Sequence, residues 1–395
     1  MTVSDRWLLP DGVEDLLPPT ALRIEALRRE LLDSWQRWGY QLISPPMIEY
    51  LESLLTGTGN DLDLQTFKLT DQLTGRLMGV RADMTPQAAR IDAHGLQSKG
   101  VTRLCYAGHV LHTRPLSLTG GRAPLQVGCE LFGSSALAAD EEIVVLMLEA
   151  LAVAGVARVH LDLAHVVIYQ ELVAAAGLSD KKQKAVFDAV RRKSVPELHE
   201  LLGNQPAGSA GAQLLALAPL VGGREVLAQA SEILGTASER IKKALADLEY
   251  VADRVSARFP DVSLGFDFCE LRGYNYHTGL VFAAFGAGGE QALAQGGRYD
   301  AIGEDFGRGR PATGFSADLR RLTLLADSSD VVDHRAIYAP AVDDPDLQRR
   351  VSELRRCETV IQALPDEDSH RARSQCDRQL VQRDGKWHIE ALNAQ

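Results

Sequence analysis

Between about residues 168 and 258 the chain is almost wholly helical in pattern, rich in Ala and Leu and broken only by "GNQPAGSAG" and "VGG". Strand patterns flank this block. "RLCYAGHV", "PLQVGCELFG" and "RVHLDL" precede it, and "SLGFDF", "RGYNYHTGLVF" and "EQALAQGGRYDAIG" follow it. Strands gathered on both sides of a helical insertion predict an α+β fold, with a mostly antiparallel sheet flanked by helices. Leu27, Leu31 and Trp35, with Trp38 beyond them, mark an amphipathic helix ending at Gly39. "YQLISPP" reads as a strand, and Thr66 to Ala82 as a hairpin around "TDQLTG". Thr85 before Pro86 reads as the N-cap of a helix through "PQAARIDAHG". Asp140, Glu141 and Glu142 open another helix, and "SADLRRLTLLA" closes a domain spanning 1–325. Residues 326–335 have linker composition, and 336–395 form a small C-terminal α/β domain.

The net charge of −11 gives no whole-molecule attraction for a polyanion such as tRNA. Five scattered cysteines without a CxxC pair suggest neither a disulfide framework nor a metal site, and point to a reducing cytoplasm. The N-terminus lacks the basic and apolar regions of a secretion signal, and Ile143 to Val159 is interrupted by Glu149 and Arg158, so no membrane segment is expected.

"RGYNYHTGLVF" is the unusual strand pattern. Its alternate positions Arg272, Tyr274, Tyr276, Thr278, Leu280 and Phe282 would share one face, polar at one end and apolar at the other. With Asp83, Gln126 and Glu130 also at strand positions, burial would leave several costly polar groups unless they surround a ligand.

That stretch, followed by "GGRYD" at Gly296 to Asp300, closely resembles the two signature segments of histidyl-tRNA synthetases. "RADMTP", "QVGCELFG" and "GFSADLRRL" resemble other segments of the same class II aminoacyl-tRNA synthetase core, in the same order. The resemblance implies a pocket for free histidine. Asp83 and Thr85 would take the ammonium, Gln126 and Glu130 line the pocket, Arg272 reach the carboxylate, and Tyr276 and His277 belong to the segment recognising the imidazole. His277 is a departure, since the synthetases usually carry a second tyrosine there.

The means of activating histidine are eroded. In "VLHTRP" the position of the motif-2 arginine is Leu111 and that of the following glutamate is Thr113. A leucine cannot replace a cation at a developing charge, a loss of about 10² to 10³ in rate by comparison with oxyanion-hole deletions. In motif 3, Asp318 stands where a glycine is usual and Arg320 where the family has glutamate; Arg321 is kept. Arg122, near the motif-2 loop, could compensate for Leu111, but one residue does not repair both motifs. The tail is shorter than an anticodon-binding domain and carries acidic runs.

Taken together, the chain is similar to the regulatory subunits of ATP phosphoribosyltransferase, synthetase-like partners of a short-form catalytic subunit. The resemblance implies no catalysis and no cofactor or metal, a homodimer through the core, a hetero-octamer with the catalytic subunit, activation of that subunit, and feedback inhibition by free L-histidine. Two other readings remain open: an amino acid ligase, which would need ATP, and a histidine sensor for a different partner.

Overall fold

The computed structural model describes residues 7–56, 59–115, 120–271, 273–274, 276–289, 291–304, 306–325, 336–365, 373 and 376–392, without the side chains of 59–61. The chain divides into two compact units, Met1–Asp327 and Ser328–Gln395. The linker expected at 326–335 lies outside the described residues.

In chain order the first unit contains β1 (Gln41–Leu42), β2 (Ile48–Tyr50), β3 (Phe67–Thr70), β4 (Leu77–Val80), β5 (Thr102–His109), β6 (Leu125–Phe132), β7 (His160–His165), β8 (Val221–Gly222), β9 (Ser263–Asp267), β10 (Leu280–Phe285), β11 (Ala294–Arg298) and β12 (Ala312–Asp318). Nine of these form one sheet in the order β1-β5-β6-β12-β11-β10-β7-β9-β8, while β2, β4 and β3 form a separate small sheet. The large sheet is antiparallel except at β1/β5 and β7/β9. This is the expected α+β architecture.

The sheet's two faces carry different burdens. On β6, Val127, Cys129 and Leu131 enter the main core beneath the helices Thr20–Arg37 and Leu137–Val153. Leu104, Tyr106 and Phe132 of β5 and β6 enter a smaller cluster with Met84, Tyr299 and Ile302. Glu130 belongs by alternation to that second face. The helices between β7 and β9 share the main core: Tyr169, Leu172, Val186, Leu214 and Leu248 all belong to it. The insertion is therefore built into the body of the fold.

Several expectations need correction. The strand "YQLISPP" is only Gln41–Leu42. The helix at Thr85 has Met84 at its N-cap with no side-chain cap bond, and after Arg90 it widens into a π-helix over Ile91–Leu96. Ser316 to Asp318 end a strand, β12, that the sequence reading missed; the closing helix is Leu319–Leu325. "ATGFSAD" carries four small residues, Ala312, Gly314, Ser316 and Ala317, and no strict alternation, so its burial on both sides left no periodic mark.

The second unit holds β13 (Ala336–Ala339), β14 (Val360–Gln362), β15 (Cys376–Arg383) and β16 (Lys386–Ala391) in the order β14-β13-β15-β16. The helix Pro345–Leu354 packs Leu347, Val351 and Leu354 against Ile337, Val360 and Leu380. Asp344 caps that helix by accepting from the N–H groups of Asp346 and Leu347, and also takes Trp387 Nε1 at 2.9 Å. Arg349 and Arg350 pair with Asp346 and Glu353 along the exposed helix. Much of "LPDEDSH" lies outside the described residues.

Candidate functional site

Glu130 is only 1% exposed and has no basic side chain among its hydrogen-bond partners. Such a carboxylate is costly to bury unless its lone pairs are satisfied. Three hydroxyls supply the compensation. Thr85 Oγ1 donates to Oε1 at 2.8 Å, Tyr106 OH donates to Oε1 at 2.9 Å, and Tyr299 OH donates to Oε2. Burial still pushes the Glu130 carboxyl up to about 8, against the downward pull of the three hydroxyls, with repulsion from Asp83 adding to the rise. Thr85 therefore spends its hydroxyl on Glu130 rather than on a helix cap.

Asp83 lies beside this group. Its Oδ1 accepts the N–H of Thr85 at 3.0 Å and Gln126 Nε2 at 2.8 Å, while Gln126 Oε1 takes the N–H of Met84 at 2.9 Å. The Gln126 amide is thereby fixed in one orientation, with its nitrogen toward the carboxylate. An anchored anion of this kind suits an ammonium group.

The stretch 272–282 is not the continuous strand its alternation suggested. Gly273 takes φ +62°, and its carbonyl accepts the N–H groups of both Tyr276 and His277 at 2.8 Å, so the chain turns and β10 begins only at Leu280. Tyr274 and Tyr276 consequently part. Tyr274 packs against Tyr169 and Phe187 of the helical insertion, with centroids 5.4 and 5.0 Å away, whereas Tyr276 stacks on His277 at 4.2 Å and approaches Tyr299 at 5.5 Å. Arg272 lies outside the described residues.

Asp83, Thr85, Glu130, Tyr276 and His277 line one inner cavity of about 140 Å³. It is smaller than drug-sized ligand sites, roughly 300 to 1,000 Å³, and so suits a small polar molecule. It adjoins a larger cavity of about 660 Å³ that Gln126, His112, Asp318 and Arg321 help to line. Asp83, Thr85 and Tyr276 belong to both walls. Tyr106 and Tyr299 were missed as site residues. Tyr106 sits in an apolar strand pattern that conceals its hydroxyl, and Tyr299 could have been suspected only from the turn-like "GGRYD".

The eroded positions provide no phosphate-binding group. Leu111 donates its N–H to the Arg81 carbonyl, and Thr113 turns its hydroxyl to the Leu64 carbonyl at 2.6 Å. Arg122 does not compensate: its guanidinium donates to the carbonyls of His112 at 3.1 Å and Asp11 at 3.3 Å. Asp318 accepts the N–H groups of Leu125 and Arg320, and burial raises its carboxyl above the ordinary value. Arg320 turns to the Ala123 carbonyl and to Glu14. Arg321 reaches the larger cavity's wall but donates to the carbonyls of Ala292 at 3.0 Å and Gln291 at 3.5 Å.

Comparison with known proteins agrees with this arrangement. A family model for histidyl-tRNA synthetase matches residues 12–322, and one for the ATP phosphoribosyltransferase subunit HisZ C-terminal domain matches 334–390. The chain is 64% identical over 393 residues to the ATP phosphoribosyltransferase regulatory subunit of Marinobacter nauticus, covering 99% of this chain and 100% of that one. It is 53% identical to the protein of that name from Pseudomonas aeruginosa, with 99% and 100% covered. Among solved structures, one from Bacillus halodurans described as an ATP phosphoribosyltransferase regulatory subunit/histidyl-tRNA synthetase superposes with TM-score 0.82 at 24% identity, covering 94% and 96%. The histidyl-tRNA synthetase of Nostoc sp. PCC 7120 shares the fold, with TM-score 0.77 at 19% identity over 95% and 91%. A synthetase core with an occluded activation apparatus, joined to that C-terminal domain and matched along its whole length, belongs to the family of ATP phosphoribosyltransferase regulatory subunits.

Proposed function

We propose that this chain activates a short-form ATP phosphoribosyltransferase catalytic subunit and makes it inhibitable by free L-histidine bound in the inner cavity. The partner joins ATP and phosphoribosyl diphosphate to give phosphoribosyl-ATP and diphosphate, the first step of L-histidine biosynthesis. The observation carrying this reading is the Glu130 carboxylate, held by three hydroxyls at the wall of a cavity that also offers Asp83. One carboxylate suits the ammonium and the other the ring N–H of histidine. Leu111 and Asp318 argue against turnover of the bound amino acid, which makes it a signal.

Control would operate by linkage. If histidine binds the inhibited arrangement of the complex more tightly than the active one, a coupling of about 1 to 3 kcal/mol gives roughly 5- to 150-fold effects. The assembly is inferred to be cytoplasmic and hetero-octameric, built on a homodimer of this chain and without tRNA. Support for the homodimer comes from β1, which ends the large sheet, and from Leu42, Met47 and Ile48 beside it, at 59%, 41% and 44% exposure. The test is to mix the purified chain with a short-form catalytic subunit from the same source and follow phosphoribosyl-ATP with and without histidine. Strong activation that histidine suppresses is expected; an unaffected partner, with histidine binding intact, would indicate a sensor for another client.

A further inference from the structure

His277 occupies the inner cavity wall in a fixed tautomer. Its Nδ1 lies 3.1 Å from the Arg298 carbonyl, which can only accept, so the ring hydrogen sits on Nδ1. Burial pushes the ring's pKa down to about 4, keeping it neutral near pH 7. Nε2 then carries a lone pair, and no described residue donates to it. A tyrosine at this place could either donate or accept; this imidazole can only accept.

Glu130 and His277 approach the same patch of sheet. A Cβ on Gly314 would collide with Glu130 Oε2, and one on Gly297 would lie 2.9 Å from His277 Cε1. Gly297 and Gly314 are paired across β11 and β12, at about 5.5 Å between Cα atoms for such a hydrogen-bonded pair. Nε2 of the same ring lies toward Gly273, another residue of the cavity wall, so the acceptor of His277 and the carboxylate of Glu130 both border the inner cavity.

We propose that His277 makes histidine sensing proton-dependent: the bound imidazole must donate one N–H to His277 Nε2, so its other nitrogen can engage Glu130 only through one further shared proton. This rests on the histidine reading above. The complex then holds one proton more than a carboxylate plus a neutral ring. Whether that proton resides on the ligand nitrogen or on Glu130 does not alter the count.

The remaining groups around the site are named by the elements that carry them. Asp83 precedes the helix Thr85–Arg90, Tyr106 is on β5, Glu270 follows β9, Tyr276 lies in the turn before β10, and Tyr299 follows β11. The tyrosines Tyr106, Tyr276 and Tyr299 are held well above the ordinary phenol range by burial and stay neutral. Near pH 7.5 the extra proton is largely present on Glu130 before binding, and little net exchange is expected. Near pH 9 it must come from solvent.

The experiment is calorimetry of histidine binding to the full chain from pH 6.5 to 9.5, in buffers of different ionisation heat, for the wild type and His277→Tyr. Beyond the proton that the ligand's amino group takes up, the wild type should take up close to one more near pH 9, and that proton alone should lower the affinity by about tenfold per pH unit there. His277→Tyr, whose hydroxyl can donate to an unprotonated ring nitrogen, should lose markedly less affinity over the same range. The ligand's own amino group titrates equally in both, so the difference isolates residue 277. Wild-type uptake at pH 9 no greater than the ligand's own amino group accounts for, a quantity fixed by titrating free histidine, would overturn the proposal and leave the histidine site standing; that measurement needs no variant. Absence of histidine binding at every pH would overturn both.

Discussion

Arg298 and Tyr299 are neighbours in sequence and separate in space. Arg298 turns to Asp140, donating through Nε at 3.0 Å and through its terminal nitrogen at 2.7 Å, and to the Ser134 carbonyl at 3.1 Å, whereas Tyr299 donates to Glu130. The end of β11 therefore divides its labour. One residue ties the sheet to the start of the helix Leu137–Val153, and the next shapes the inner cavity.

Arg298→Ala should act on stability. It leaves the buried Asp140 carboxylate uncompensated, and breaking such a pair typically costs about 3 to 5 kcal/mol. Urea denaturation of the isolated chain measures it. A loss below about 1 kcal/mol would show that the pair is not the clamp described here.

Tyr299→Phe should act on ligand binding. It removes one donor from Glu130, which above about pH 8 is ionised, where such a hydrogen bond is of the class worth about 1.5 to 3 kcal/mol. Histidine affinity by calorimetry should fall by about tenfold or more, with a smaller stability loss than in Arg298→Ala. Unchanged affinity would remove Glu130 from the binding wall.

Glu130 also leaves a signature in the pH dependence of stability. Its folded pKa of about 8 lies above the ordinary 4.5, so the folded state binds the extra proton between those values. Its contribution favours the folded chain at the acid end of that window and is lost as pH rises through it. The melting temperature of Glu130→Gln relative to wild type should therefore rise from pH 5 to pH 8.5. A flat difference would mean that Glu130 ionises as an ordinary carboxylate.

The synthetase-like core was legible because its segments combine unusual residue types in a fixed order, and that order survives erosion of individual motifs. Asp83, Thr85, Glu130, Tyr276 and His277 do meet in one cavity. The local route to that meeting was not legible. Alternation placed Tyr274 and Tyr276 on one face, but the positive φ of Gly273 breaks the strand and sends them to different clusters. A glycine in a strand pattern can mark such a break or a close approach, and sequence alone does not choose between them. Tyr106 and Tyr299 were invisible for a related reason: their rings satisfy the apolar pattern, and only three-dimensional proximity shows that their hydroxyls converge on Glu130.

The activation apparatus should not be recoverable by one substitution. Leu111→Arg restores a cation at the motif-2 position but leaves Asp318 in the wall of the larger cavity. Histidine-dependent exchange of labelled pyrophosphate into ATP should stay at background for both the wild type and Leu111→Arg. Exchange well above background in either would contradict the regulatory reading.

The central claim is that the Glu130 cavity is where histidine exerts control. The most direct measurement is the histidine inhibition curve of phosphoribosyl-ATP synthesis by the catalytic subunit assembled with wild-type chain or with Glu130→Gln. The account predicts equal activation without histidine and a curve displaced to at least about tenfold higher histidine for the variant. Superimposable curves from two equally folded, equally activating complexes would place the inhibitory site elsewhere.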